Sequence, residues 1–190
     1  MESLKNRILK DGRVVSNEIL KVDSFLNHQM DPNLMRDIGI EFEKIFKNEK
    51  IDKIFTIEAS GIAVAIMTAY AVGVPSVFAK KKKPSTMDSN IITSKVYSFT
   101  KNTFYEIIVS GEFIKKGEKV LIVDDFLAHG NASIALAELV EGAGAEVVGI
   151  GIVIEKGFQN GRKLLEEKGY RVESLAVIKK LEDGKVYFED

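Results

Sequence analysis

The segment VLIVDDFLAHGNAS, residues 120–133, decides the fold class of this chain of 190 residues. Its four leading apolar residues predict a buried parallel strand, and two adjacent carboxylates, Asp124 and Asp125, follow at the carboxyl end of that strand. A loop of small residues around Gly130 then leads into a helix, whose first turn presents backbone N–H groups and the positive end of the helix dipole. Because ligands of open α/β sheets bind beyond the carboxyl ends of the strands, we predict an anion site here.

The two acids indicate what accompanies the anion. Carboxylates do not attract a phosphate, but they suit the paired hydroxyls of a ribose, or a metal ion that bridges to the substrate. The segment matches neither the P-loop pattern nor the Rossmann glycine pattern. Acid pairs at strand ends are common, so an ordinary strand terminus is the alternative to a sugar-phosphate site.

Strand-like runs alternate with helical spacing along the rest of the chain. Asp31 and Pro32 form an N-cap and first-turn signal, and apolar residues then recur on one helical face as far as Phe46. This alternation predicts an α/β fold, a mostly parallel sheet flanked by helices. The predicted strands cover residues 52–58, 74–79, 105–109, 119–125 and 147–155, and further predicted helices cover residues 134–142 and 161–169.

Residues 59–79 contain no charged side chain and are followed by four lysines, so by length they could span a membrane. Gly73, Val74 and Pro75 interrupt this run, however, and proline stops a helix interior. We therefore interpret the run as a buried helix, a turn and a buried strand, and we expect no membrane partner.

The composition excludes several classes of protein. Hydrophobic residues make up 45% of the chain and charged residues 29%, with 27 basic side chains, 28 acidic ones and a net charge of −1. These values are typical of a single folded domain, and they argue against nucleic acid as the partner. The chain has no cysteine, which excludes disulfides and thiolate chemistry and suits a reducing compartment. The first twelve residues are too charged for a signal peptide, so we expect a cytoplasmic protein.

Residues 80–101 form a basic segment, here called the basic flap. It contains six lysines and one acid, for a local charge of +5, so the remainder of the chain carries −6. A solvated loop or hairpin is the simple interpretation. The alternative is a mobile flap that closes over an anionic ligand, because long loops in compact domains are usually functional or disordered.

Several segments together resemble a known family. The window around Asp124 and Asp125 resembles the ribose-5-phosphate signature of the type I phosphoribosyltransferases, and the likeness extends over nearly the whole chain. It is strongest to the xanthine branch of that family. The other matching segments are LKVDSFLNHQMDP (20–32), IEASGIA (57–63), SKVYSFTK (94–101), GIGIVIEKGFQNGR (149–162) and GYRVESLA (169–176).

The resemblance implies that xanthine and 5-phospho-α-D-ribose 1-diphosphate (PRPP) react to give xanthosine 5'-monophosphate and diphosphate. Asp124 and Asp125 would be the catalytic residues, binding the ribose hydroxyls and stabilising positive charge on the ring. Magnesium would be carried by PRPP rather than held directly by the protein, and Lys81 of the basic flap would help to neutralise the leaving diphosphate. The PRPP contacts would come from two loops, the phosphate loop (Ala128, His129, Gly130, Asn131, Ala132) and the pyrophosphate loop (Ala59, Ser60, Gly61).

The resemblance also implies a base pocket. Lys156 would donate to a purine carbonyl and Phe158 would stack nearby, while Leu20 and Asn27 would line the base from an N-terminal hood. Taken without the family, Lys156 is a lysine that leaves the sheet for solvent, Leu20 a core residue, and Asn27 a turn or cap residue. The implied domain is a single unit, 1–190, with hood segments at about 1–32 and 156–190, and the resemblance implies a homodimer.

One departure and several rival functions accompany this interpretation. His129 stands where the family pattern leads us to expect asparagine or threonine, and Asn131 stands where it leads us to expect glutamine. The rival functions are a PRPP-sensing regulator of the same fold and an adenine or guanine phosphoribosyltransferase. Ser60 as a hydrolase nucleophile is a weaker rival, because the G-x-S-x-G elbow is absent.

Overall fold

A computed structural model describes residues 1–82, 90–98 and 103–189, and it contains five helices and ten strands within those ranges. A short π-helical segment, Asp23–Asn27, precedes α2. The helices are α1 (Glu2–Asp11), α2 (Pro32–Ile45), α3 (Gly61–Val72), α4 (Asn131–Gly142) and α5 (Gly161–Glu167). The strands are β1 (Arg13–Ser16), β2 (Ile19–Lys21), β3 (Lys53–Ile57), β4 (Ser76–Ala79), β5 (Ile91–Ser98), β6 (Thr103–Ser110), β7 (Lys119–Leu127), β8 (Glu146–Lys156), β9 (Val172–Glu182) and β10 (Lys185–Phe188).

Six strands form the central sheet in the order β10-β9-β8-β7-β3-β4. The five from β9 to β4 are parallel, and β10 runs antiparallel at one edge. This is the mostly parallel sheet that the alternation of strands and helices predicts, so the predicted fold class is confirmed. The strand that carries Asp124 and Asp125, β7, lies between β8 and β3, in the interior of the sheet.

Each face of the sheet buries a separate hydrophobic core. On one face, α1, α2 and α3 cover the sheet together with the β1–β2 hairpin and the π-helical segment, and fully buried side chains there include Phe25 and Phe42. On the other face, α4, α5 and the β5–β6 hairpin cover it, with Ile107 and Leu136 fully buried. The side chains of β7 alternate between the two cores, as the period of a strand requires. Both faces are therefore shielded, and the carboxyl edge is left for ligands.

The helix signals in the sequence are confirmed. The Asp31 carboxylate accepts hydrogen bonds from the backbone N–H groups of Asn33 and Leu34, at 3.0 and 3.2 Å, and Pro32 occupies the first helical position. The α3 helix ends at Gly73, whose φ of 82° lies in the left-handed region that glycine adopts without strain. Helices α4 and α5 include residues 134–142 and 161–167, close to the predicted bounds.

The burial predicted for residues 59–79 is wrong on one face. This run does form a helix, a turn and a strand, but Ile66 and Tyr70 of α3 are 54% and 81% exposed, and Phe78 of β4 is 37% exposed. The cause is position, because β4 lies at the edge of the sheet and α3 covers that edge from one side only. Among the described residues, no helix combines the length and the apolar character needed to cross a membrane.

Part of the basic flap lies outside the described residues, namely 83–89 and 99–101. Between these two gaps, residues 91–98 form β5, which pairs with β6 in an antiparallel hairpin. Sequence patterns indicated β6 but not β5. The predicted hood bounds stay a prediction, although β9 and β10 extend the central sheet.

Candidate functional site

The phosphate loop lies at the carboxyl end of β7, where the sequence places it. Gly130 precedes the first residue of α4 and has a φ of 83°, a conformation that side chains rarely adopt. Asn131 and Ala132 open the helix, so their backbone N–H groups belong to its first turn and face the end of the strand. The loop therefore has the local geometry of an anion site.

Two packing contacts fix the shape of this loop. The backbone N–H of Gly161 donates to the carbonyl oxygen of Ala128 at 3.0 Å. A methyl group on Gly161 would overlap that carbonyl oxygen and lie 3.0 Å from the backbone nitrogen of Gly130. The side-chain amide of Asn131 donates to the carbonyl oxygen of Tyr97 in β5, at 3.1 Å. This last bond gives Asn131, which departs from the family pattern, a role in joining the loop to the β5–β6 hairpin.

The two acids of β7 are both buried, Asp124 at 5% exposure and Asp125 at 8%. The backbone N–H of Asp125 donates to Asp124 Oδ1 at 2.9 Å. Burial raises the pKa of Asp124 well above its ordinary value, the negative charge of Asp125 raises it further, and the positive charge of Lys81 opposes the shift. Negative charge at this pair is therefore held at an energetic cost, which a ligand with positive character would relieve.

The pyrophosphate loop joins β3 to α3 beside these acids, and its Glu58–Ala59 peptide bond is cis. Ser60 immediately precedes the helix and makes no capping hydrogen bond with its side chain. Gly61 is the first residue of α3, and a methyl group there would overlap the Thr56 hydroxyl and stand 2.9 Å from Asp124 Oδ1. A glycine is therefore required where this loop passes the catalytic candidate.

Lys81 is tied to the same loop. Its backbone N–H donates to the Glu58 carboxylate at 2.6 Å, and its ammonium lies 6.0 Å from the centre of the Tyr105 ring. Burial raises the pKa of Tyr105, and the charge of Asp124 adds to the effect. These contacts place Lys81, near the start of the basic flap, close to Glu58 and within electrostatic reach of Asp124.

Among the base-pocket candidates, Lys156 contacts the turn between β1 and β2. The Lys156 ammonium donates to the backbone carbonyl of Glu18 at 2.7 Å, and burial lowers the pKa of Lys156. Leu20, two residues beyond Glu18, is 7% exposed, and Phe158 is 37% exposed. Asn27 ends the π-helical segment, and its side-chain oxygen is buried without a hydrogen-bond partner. The lysine thus contacts the hood rather than extending into solvent.

Sequence patterns missed one group close to the site. Glu155, the residue before Lys156, is 2% exposed and forms a two-point ion pair with Arg162, with distances of 2.8 and 2.6 Å. Ser174 of β9 donates to the same carboxylate at 2.5 Å. The hydrogen bonds between Arg162 and Glu155 raise the pKa of the guanidinium, and the charge of Glu155 adds to the effect. The sequence did contain a signal for this ion pair, the carboxylate that ends the long apolar run GIGIVIE. A charge at that position is buried and therefore needs a partner.

The sheet has helices on both faces, and an acid pair on β7 precedes the N terminus of a helix. Together with the strand order, these features define the architecture of a type I phosphoribosyltransferase. The family profile described as the phosphoribosyl transferase domain matches residues 27–183, and the chain belongs to that family.

Two comparisons with curated relatives cover the whole chain. It is 59% identical over 190 residues to xanthine phosphoribosyltransferase 1 of Clostridium perfringens, covering 100% of both chains. It is 54% identical to xanthine phosphoribosyltransferase of Oceanobacillus iheyensis, covering 100% of this chain and 98% of the relative. Among solved structures, adenine phosphoribosyltransferase of Rhodothermus marinus aligns with a TM-score of 0.75 at 25% identity, over 93% of this chain and 99% of that one.

Proposed function

We propose that this protein is a purine-salvage enzyme, a xanthine phosphoribosyltransferase that converts xanthine and PRPP to xanthosine 5'-monophosphate and diphosphate. The observation that carries the proposal is full-length identity of 59% to an enzyme of that name, combined with an acid pair and a helix N terminus at one sheet edge. The reaction exchanges the C1 diphosphate of PRPP for a ring nitrogen of the base, so the two products balance the two substrates.

The phosphate loop binds the 5-phosphate in this proposal. Its backbone N–H groups and the positive end of α4 suit a dianionic group, and the contact with Gly161 holds the loop in shape. His129, half-buried in the loop, is included as a PRPP contact with Ala128, Gly130, Asn131 and Ala132.

The acids act on the ribose. Asp124 and Asp125 accept hydrogen bonds from its hydroxyls, and their charge stabilises the positive charge that develops on the ring as diphosphate leaves. The raised pKa of Asp124 supports this role, because a buried carboxylate that is costly to ionise gains most from a cationic transition state. The pyrophosphate loop, Ala59 to Gly61, and Lys81 bind the departing diphosphate.

Magnesium enters with PRPP in this proposal. Among residues 1–82, 90–98 and 103–189, no cluster of three or more histidine, cysteine, aspartate or glutamate side chains could hold a metal by itself. The acid pair fits an ion that takes most of its ligands from the substrate's phosphate oxygens, since Mg²⁺ is commonly bound by one or two carboxylates plus phosphates. Bound there, magnesium would neutralise charge on the diphosphate.

Lys156 decides between oxopurines and adenine. Its ammonium can only donate, so it suits the carbonyl of an oxopurine and opposes the amino group of adenine. The contact with the Glu18 carbonyl, 2.7 Å away, shows the ammonium already donating to an acceptor of that kind. Asn27 presents a buried oxygen without a partner, which suits a base N–H, while Leu20 and Phe158 supply apolar contact. Adenine and guanine transfer are the rival activities, and structural likeness to adenine phosphoribosyltransferases at 25% identity favours the first of them.

We further propose a homodimer assembled through the exposed face of α3 and β4. Ile66 and Tyr70 stand four residues apart on one stripe of α3, and Phe78 lies on the adjacent edge strand. Such adjacent exposed apolar side chains on a soluble fold are typical of an interface. Tyr70→Lys should shift the molar mass measured by light scattering toward that of one chain, and an unchanged mass would contradict this interface.

A cytoplasmic location stays a prediction, as does the absence of a nucleic-acid or membrane partner. The rival function that is not an enzyme activity is the PRPP-sensing regulator of the same fold.

The test is product formation. Protein incubated with xanthine, PRPP and Mg²⁺ should release diphosphate and xanthosine 5'-monophosphate in equal amounts, as measured by chromatography against standards. Binding of PRPP without turnover of any purine would contradict the enzyme and favour the regulator.

A further inference from the structure

The loop between β8 and α5 connects the two halves of the proposed site. It begins at Lys156, which contacts the hood, and it ends at Gly161, whose N–H is bonded to the phosphate loop. The loop backbone between these points makes a turn, in which the N–H of Gln159 donates to the carbonyl oxygen of Lys156 at 2.9 Å. Contacts that hold Lys156 and Gly161 in place therefore also set the distance between the base contact and the phosphate loop.

The ion pair of Glu155 and Arg162 encloses this loop. Glu155 stands one residue before Lys156, and Arg162 stands one residue after Gly161. Both guanidinium contacts, at 2.8 and 2.6 Å, use separate oxygens of the carboxylate, so the pair fixes orientation as well as distance. The Arg162 guanidinium also donates to the carbonyl oxygen of Val172 at 3.0 Å, which ties it to β9.

We propose that Glu155 and Arg162 are positioning residues, which hold Gly161 against the phosphate loop and thereby keep that loop shaped for the 5-phosphate of PRPP. The proposal rests on the proposed function of the phosphate loop. Neither residue touches substrate in this account; they act through the Gly161 N–H bond to the Ala128 carbonyl oxygen. Glycine is needed at 161 because any side chain there would overlap that oxygen.

The geometry favours this role over simple stabilisation. A buried carboxylate whose sole task is stability is often replaceable by an apolar side chain without loss. Here Glu155 stands beside Leu127 in the parallel pairing of β8 with β7, and Leu127 is the residue directly before the phosphate loop. Displacement by a fraction of an ångström at Gly161 would reach the phosphate loop through one hydrogen bond.

Glu155→Gln tests the proposal, with Glu166→Gln as its matched control, since Glu166 contacts the same guanidinium at 3.2 Å from the exposed side of α5. For Glu155→Gln we expect weaker binding of ribose 5-phosphate by roughly tenfold and a similar rise in KM for PRPP, with diphosphate binding within about twofold. The Gly161 amide should also exchange its hydrogen faster. For Glu166→Gln all of these quantities should match the unmodified protein.

A lower melting temperature with unchanged ribose 5-phosphate affinity would overturn the proposal, as would equal weakening for ribose 5-phosphate and diphosphate. If Glu155→Gln does not fold, Gly161→Ala tests the contact with the ion pair intact, and unchanged ribose 5-phosphate affinity in that variant would also overturn it. Failure of the unmodified protein to bind ribose 5-phosphate would contradict the proposed function instead. The exchange rate at Gly161 in Glu155→Gln would then decide whether the ion pair holds that residue.

Discussion

Asp124→Asn should stabilise the ligand-free protein while removing most of its activity. Asparagine keeps the oxygen that accepts the Asp125 N–H bond, 2.9 Å long, but removes a charge that is 5% exposed beside a second acid. Two unit charges roughly 6 Å apart repel by about 3 kcal/mol at an effective dielectric constant of about 20. Because asparagine relieves only part of this and adds an N–H group that needs a partner, we expect a gain of about 1–2 kcal/mol in the free energy of unfolding.

The sign of the pH dependence follows from the direction of the pKa shift. The pKa of Asp124 is raised in the folded protein above its ordinary value of 3.8, mainly by burial, so the folded state holds its proton more tightly than the unfolded state. Stability is therefore lost as pH rises from 3.8 through the raised pKa, and it is constant above that. The advantage of Asp124→Asn should be small near pH 4 and should grow as the pH rises through the raised pKa.

The assay is urea unfolding at several pH values, paired with steady-state kinetics. At pH values above the raised pKa the variant should unfold at a higher urea concentration, corresponding to the gain of about 1–2 kcal/mol in the free energy of unfolding. Its kcat should fall by about 10²–10³-fold, or roughly 3–4 kcal/mol of transition-state stabilisation. Asp52→Asn is the control, because its carboxylate accepts the Lys119 N–H bond and its pKa is lowered, so its substitution should not stabilise. A stability gain independent of pH, or a variant less stable than the parent near pH 8, would refute the explanation.

Two further predictions concern single contacts. Lys156→Ala should raise KM for xanthine by about 10–100-fold and leave KM for PRPP nearly unchanged, because only the base loses a hydrogen-bond donor. Initial-rate assays measure both constants, and equal changes in the two would contradict this assignment. Gly61→Ala should lower affinity for diphosphate measured by calorimetry, because the new methyl group would overlap Thr56 and approach Asp124. Gly142→Ala at the end of α4, where the nearest contact is a flexible side chain at 3.3 Å, is the control and should bind diphosphate normally.

The sequence predicted the central sheet and the position of the acids because those features depend on local patterns. A run of branched residues followed by two aspartates predicts a buried strand with the acids near its carboxyl end, and the structure has it as β7, which continues two residues further, to Leu127. Local pattern could not predict that Tyr70 is exposed, since an apolar helix looks the same whether it is covered on one side or two. Nor could it pair Glu155 with Arg162 and Ser174, because that contact depends on where α5 and β9 meet.

Residue roles in the base pocket came from resemblance, and the structure adds their surroundings. The bond from Lys156 to the Glu18 carbonyl depends on how the β1–β2 hairpin meets β8, two elements separated by over a hundred residues. The orphaned oxygen of Asn27 is likewise a product of packing. No spacing rule in the sequence indicates either contact.

The central claim is transfer of phosphoribosyl to xanthine, and a panel of bases tests it most directly. Xanthine, guanine, hypoxanthine and adenine are each offered at one fixed PRPP concentration, and diphosphate release is followed. We predict the highest kcat/KM for xanthine, lower values for guanine and hypoxanthine, and no measurable turnover of adenine, because the Lys156 ammonium requires a carbonyl partner. Preference for adenine, or no release with any of the four bases, would contradict the account.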